Sequence, residues 1–166
     1  VLSALDVSVQ ASVLDLMERL RSETSVAMLF ISHDLAVVRR LADRVCVLYR
    51  GQIMESGPVD ALFGPPFHPY TLSLLISVPG SSYCASLPHV SAQTDRIPAP
   101  GGCAFAGRCT WRPDDRCFTE PPPLHTAESG LEIRCHLSAA ELLSMGERGA
   151  NSWHSTAEKA HTGEES

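Results

Sequence analysis

Six apolar residues fill positions 26–31 without interruption, and three polar ones, Ser32, His33 and Asp34, follow directly. A run of that length predicts a strand buried on both faces, the habit of a parallel sheet covered by helices. Upstream, Val9, Val13, Leu16, Met17 and Leu20 recur at helical spacing, which predicts a helix from Asp6, a suitable N-cap, to about Arg21. Downstream, Asp34 is placed to cap a second helix, with Leu35, Val38, Leu41 and Ala42 towards the sheet and Arg39, Arg40 and Asp43 towards water. Residues 45–49 read as a second strand, Arg50-Gly51 as a two-residue hairpin turn, and residues 52–55 as the antiparallel return. Gly57-Pro58 is expected to break that strand and start a short helix over 59–63.

After Gly64 the pattern changes. Pro65, Pro66 and Pro69 predict an extended connector, and residues 70–78 a short apolar helix stopped by Pro79-Gly80. Residues 81–100 hold many turn formers and few core residues, as a linker does, and residues 138–145 suit one last helix. The tail from Gly146 is small and polar, which predicts disorder. The organisation expected is therefore a first segment over 1–64, a connector over 65–100, a cysteine-rich segment over 101–145 and a tail over 146–166.

With 166 residues and 44% of them hydrophobic, the chain can build a core. A net charge of -6 and a single lysine, Lys159, leave no basic surface for phosphates, so nucleic acid is not expected as a partner. No apolar run approaches the ~20 residues of a membrane span and no charged start marks a signal peptide, so the expected setting is intracellular, with membrane association only through a partner.

Two places carry candidate chemistry. His33 falls at the carboxyl end of the expected strand, the edge where open α/β sheets bind ligands, although Ser32 or Asp34 as helix caps would also account for the polar triplet. The second is the series Cys103, Cys109, Cys117 and Cys135. It fits a structural zinc site, two disulfides, an iron-sulfur cluster or four unrelated thiols. A reducing interior disfavours disulfides, and the absence of a pair two to four residues apart disfavours a zinc knuckle. Cys46 reads as a small core residue within a strand, and Cys84 has no partner at a useful spacing.

Ser3-Ala4-Leu5-Asp6-Val7-Ser8 followed by Ile31-Ser32-His33-Asp34-Leu35 resembles the D-loop and switch-histidine loop of an ABC-type ATPase. His68-Pro69-Tyr70-Thr71 with Leu74, Leu75 and Pro79 resembles a segment of the ATP-binding subunits of oligopeptide/dipeptide ABC transporters, and the four cysteines match that family's C-terminal set. Ala104 and Gly107 depart from prolines common there, while Phe105 and Arg108 are retained.

The resemblance covers roughly residues 1–137. It implies an α/β fold, the C-terminal part of a P-loop (ABC-type) nucleotide-binding domain with a small irregular cysteine-rich extension. It also implies ATP with Mg²⁺ as cofactor, His33 as γ-phosphate sensor, and Ser3 and Asp6 at a dimer interface beside ATP. At Cys103, Cys109, Cys117 and Cys135 it implies a [4Fe-4S] cluster; read from the residues themselves, zinc is the alternative and His125 and His136 are candidate substitute ligands. His136, beside Cys135, is expected to pack or to hydrogen-bond a sulfur. The implied partners are a second ATP-binding subunit, transmembrane permease subunits and, indirectly, a peptide-binding protein, on the cytoplasmic face of the membrane. The chain contains no G-x-x-x-x-G-K-[ST] phosphate loop and no L-S-G-G-Q signature. A different reading makes it a stand-alone iron-sulfur or zinc-binding module with the first 64 residues as scaffold.

Overall fold

The computed structural model describes residues 7–24, 26–78 and 96–147, which fall in two compact units, Val1–Asp43 and Arg44–Ser166. In the first, helix α1 (Val7–Thr24) packs on helix α2 (Leu35–Leu41) through Leu14, Val37 and Leu41, with Met17 and Phe30 at the margin. Asp34 caps α2 as its sequence position predicts, its carboxylate accepting from the amides of Ala36 and Val37 at 2.9 and 3.3 Å. Arg40 reaches back to α1 and donates to both oxygens of Glu18, at 2.7 and 2.9 Å, and to Asp15. Arg21 donates to the carbonyl of Leu41 at 2.7 Å, satisfying one of the acceptors left over at the end of α2. Asp6 lies outside the described residues, so its expected N-cap does too.

The strand expected over 26–31 does not form. The segment has no ladder partner among the described residues, and Leu29 and Ile31 are each 96% exposed. Apolar succession signals a buried strand only where neighbouring strands supply hydrogen bonds on both sides, and the described residues of the first unit supply none. No parallel pairing is present among the described residues. The sheet that is described is antiparallel throughout.

That sheet lies in the second unit, in the order β1-β2-β4-β3, from β1 (Arg44–Tyr49), β2 (Gln52–Pro58), β3 (Leu124–Thr126) and β4 (Glu132–Arg134). The hairpin expected at Arg50-Gly51 is present, with φ of 47° and 79°, the pair of positive angles a type I′ turn requires. Between Val47 and Leu48 the register slips, so that Val47 faces Glu55 while Leu48 faces Ile53. This bulge places Met54 and Glu55, adjacent in sequence, both wholly inside.

Gly57 and Pro58 stay in β2 rather than breaking it, because Gly57 lets the backbone come close to Gly130 and Leu131 in the turn before β4. Pro58 then opens helix α3 (Val59–Leu62). Helix α4 (Pro69–Ile76) begins with proline at its first position, which needs no amide donor there.

The cysteine segment is more regular than its composition suggests. It contributes β3, β4, a 3₁₀ turn (Ala106–Arg108) and helix α5 (Arg116–Thr119). Helix α6, over 139–147, starts with a reciprocal capping box: the Glu141 carboxylate accepts from the Ser138 amide at 2.8 Å while Ser138 Oγ accepts from the Glu141 amide at 3.3 Å. The linker expected over 81–100 and the disordered tail fall largely outside the described residues.

The close approach at Gly57 is testable. A β-carbon there would stand 2.8 Å from the Gly130 carbonyl oxygen and 2.9 Å from a Leu131 methyl, at a φ of 157°. Gly57→Ala is expected to lower unfolding stability by about 1–3 kcal/mol, measured by urea titration, with Gly51→Ala, whose β-carbon meets nothing, as a comparison for backbone strain alone.

Candidate functional site

The four cysteines of the series come together in one buried region. Cys103, Cys117 and Cys135 are buried and Cys109 is partly so, and all four are free thiols. The segments carrying them are tied by backbone bonds: the Cys103 amide donates to the Cys117 carbonyl at 2.8 Å, and the Ala106 amide donates to the Cys103 carbonyl at 3.0 Å. Gln52, just past the hairpin turn, grips the loop on both sides of Cys103 with one amide group. Its Nε2 donates to the Gly102 carbonyl at 3.1 Å and its Oε1 accepts from the Ala104 amide at 2.9 Å.

Cys135, at the end of β4, is held by its amide on the Pro123 carbonyl at 3.0 Å and by its carbonyl on His125 Nε2 at 2.9 Å. His136 turns to the Glu120 carbonyl at 3.1 Å, not to a sulfur as expected. Both imidazoles therefore brace the backbone around Cys135.

Burial pushes all four thiols up, Cys117 to about 11 and Cys109 and Cys135 to about 12. Charges on Cys103, Cys117 and Cys135 would also be felt within the group. Cys109 is raised further by Cys135, Cys103 and Cys117, and Cys135 by Cys103 and Cys117, which marks the four as one electrostatic group. Arg112 and Arg116 act in the opposite direction on Cys117. Among the described residues, no three Cys, His, Asp or Glu side chains stand close enough to hold a single metal ion.

The wall beside Cys103 and Cys117 is aromatic. Phe105 and Phe118 share their core cluster, and Tyr49 and Tyr70 pack against it. The rings of Tyr49, Tyr70 and Phe105 meet at centroid distances of 4.8–5.3 Å. Arg96 and Arg112 lie over Phe118 at 4.2 and 4.9 Å, and Arg50 and Arg108 over Tyr49.

A second polar feature was not singled out from the sequence as chemistry. Glu55, His68 and Thr71 are 0, 1 and 0% exposed. The His68 amide donates to Glu55 Oε2 at 3.0 Å, while His68 Nδ1 caps α4 by accepting from the Tyr70 amide at 3.0 Å. Burial raises the Glu55 carboxyl to about 7, against smaller lowering effects from the nearby Thr71 hydroxyl and the His68 amide. Burial lowers the His68 imidazole to about 3. Among the described residues Glu55 Oε1, His68 Nε2 and Thr71 Oγ1 have no hydrogen-bond partner; the Thr71 hydroxyl influences the carboxyl from outside bonding geometry. The available signal was a glutamate beside a bulge and a histidine immediately before a helix-opening proline.

His33 sits in the first unit, exposed, in the loop before α2, where Ser32 Oγ accepts from the Asp34 amide at 3.0 Å. Ser3 and Asp6 lie outside the described residues. Cys46 is exposed on β1 rather than buried in a core, because the sheet leaves that face open. Among the described residues no helix is long and apolar enough to cross a membrane.

Residues 54–117 match the family described as the C-terminal region of oligopeptide/dipeptide transporters. That stretch includes Glu55, all of α4, and Cys103, Cys109 and Cys117. A relative from Sinorhizobium fredii, named as a peptide ABC transporter ATP-binding protein, is 45% identical over 141 residues, 82% of this chain and 39% of the relative. The oligopeptide transport ATP-binding protein AppD of Bacillus subtilis is 43% identical over 143 residues, 84% of this chain and 43% of its own. A Brucella ovis protein named as a peptide import ATP-binding protein is 41% identical over 141 residues, 80% of this chain and 41% of its own. The chain thus spans about two fifths of the length of these curated relatives.

Thiol accessibility checks the geometry of the cysteine region. At pH 8 iodoacetamide is expected to modify exposed Cys46 in the folded protein at least ~10-fold faster than Cys103, Cys109, Cys117 or Cys135, because the thiolate is the nucleophile and these four are buried and raised. Peptide mapping over a time course reads the order. Equal rates at all five would show that the four are not enclosed.

Proposed function

We propose, from the premise that this chain belongs to the ATP-binding family of oligopeptide/dipeptide ABC transporters, that it forms the C-terminal part of a subunit that hydrolyses ATP to drive peptide uptake. The observation that carries this reading is identity of 41–45% over most of the chain to relatives named as peptide ABC transporter or peptide import ATP-binding proteins, with the family match over 54–117 lying inside that stretch. In this reading Ser3 and Asp6 face a second ATP-binding subunit, and His33 donates a hydrogen bond to the γ-phosphate of ATP, with Mg²⁺ held by the phosphate-loop part of the protein. An exposed imidazole in a loop just ahead of a helix is free to meet a nucleotide, which supports that role. Permease subunits anchor the protein to the cytoplasmic face of the membrane, and a peptide-binding protein selects the cargo.

Within the same subunit, Cys103, Cys109, Cys117 and Cys135 hold a [4Fe-4S] cluster whose role is to staple the segment. Three buried thiols and the partly buried Cys109, electrostatically linked, support it, as do Arg112 and Arg116, which favour the thiolate at Cys117. The cysteine spacing, with no pair two to four residues apart, suits a zinc knuckle poorly, which is the ground for preferring the cluster to zinc.

The nucleotide role is tested in a subunit that carries this chain behind a complete phosphate loop. His33→Ala is expected to lower kcat for ATP on the order of 100-fold, as removal of one donor to developing transition-state charge does, with KM much less affected. The 166-residue chain alone, lacking that loop, is expected to show no steady turnover. An unchanged kcat in His33→Ala would remove His33 from the reaction.

A further inference from the structure

We propose that Glu55 and His68 form a sealed one-proton node that holds α4 to the sheet without net charge and whose own contribution to stability stays level across mildly acidic to neutral pH. The geometry is that of a carboxylate and an imidazole taken out of water with no counter-ion. Across the ladder Glu55 faces Val47 on β1 and Ile133 on β4, both apolar. From α4 it meets the His68 amide and Thr71. Helix α3, which also packs on β2, carries Asp60, which is exposed. Glu132 and Arg134 flank Ile133, and strand alternation puts them on the other face, where Ser56 Oγ and Glu132 Oε2 lie 3.1 Å apart. On the side of the cysteine segment His68 meets the ring of Phe105, 6.1 Å away. No lysine or arginine contributes to the titration of either residue.

A buried group without a counter-ion favours its neutral form, so the folded node holds one proton, on the Glu55 carboxyl. The imidazole stays neutral, and because Nδ1 accepts from the Tyr70 amide its own hydrogen is on Nε2. In the unfolded chain the ordinary values of 4.5 and 6.5 apply, against about 7 and about 3 when folded.

The signs then oppose. Glu55 alone binds more protons folded than unfolded, so its contribution to stability falls as pH rises from 4.5 to 7. His68 alone binds fewer protons folded, so its contribution falls as pH drops from 6.5 to 3. Between pH 4.5 and 6.5 the folded chain carries one proton on the carboxyl and the unfolded chain one on the imidazole. Proton numbers match and the two slopes cancel. The node thereby keeps α4 seated, and with it Tyr70 against the aromatic wall beside Cys103 and Cys117, over the range in which either residue alone would tilt the balance.

Single substitutions expose the cancelled slopes. Urea unfolding of the full chain is measured at half-unit steps from pH 4.5 to 7 for wild type, Glu55→Gln and His68→Asn, asparagine being able to keep the helix cap. Relative to wild type, the folded-to-unfolded ratio of Glu55→Gln is expected to rise roughly 50–100-fold across that range, and that of His68→Asn to fall by roughly the same factor. Profiles parallel to wild type, or both variants tilting the same way, would overturn the node. If either variant does not fold, nitrogen NMR of wild-type His68 decides. A neutral ring protonated on Nε2 at pH 5 supports the node, and an imidazolium at that pH overturns it.

Discussion

The second unit depends on the pairing of β2 with β4. This contact joins Glu55 to Ile133 and Ser56 to Glu132, residues more than seventy positions apart, and closes a loop that contains α4, Cys103, Cys109 and Cys117, with Cys135 two residues beyond it. Closing so long a loop costs entropy, and two ladder positions alone offset little of it. What sustains the closure is what the bulge in β2 delivers on its inner side. Met54 enters the cluster that contains Cys103, Phe105 and Cys117, and Glu55 takes the amide at the start of α4. One irregularity of register thus serves both the cysteine region and the helix of the His-Pro-Tyr-Thr motif.

Much of this was legible in the sequence where local chemistry decides the outcome. Asp34 as a cap and Arg50-Gly51 as a turn need only nearby atoms, and each stands where its residues indicate; Pro69, read as part of the connector, instead opens α4, and the Ser138-Glu141 capping box was not read from the sequence. The expectations that failed depended on distant partners. Residues 26–31 carry the apolar signature of a central strand, but a signature cannot supply neighbours, and Ile31 remains 96% exposed. Strands β3 and β4 are three residues each, too short for alternation to register, and they exist because β2 offers them an edge.

The site was legible in part for the same reason. The four cysteines were recognisable as a set, and the fold brings them together, whereas the work of His125 and His136 was not. Their sequence positions suggested ligands or sulfur contacts, yet they hold the backbone carbonyls of Cys135 and Glu120 respectively. Gln52 was equally hidden, an ordinary polar residue after a turn whose amide happens to span the Cys103 loop.

The account turns on the cysteine region being a built site and not four scattered thiols. Anaerobic loading of the full chain with iron and sulfide, followed by iron, sulfide and zinc analysis, tests that most directly. About four irons and four sulfides per chain are expected, lost in Cys109→Ala and kept in Cys46→Ala. Stoichiometric zinc without sulfide, or iron unaffected by Cys109→Ala, would contradict it.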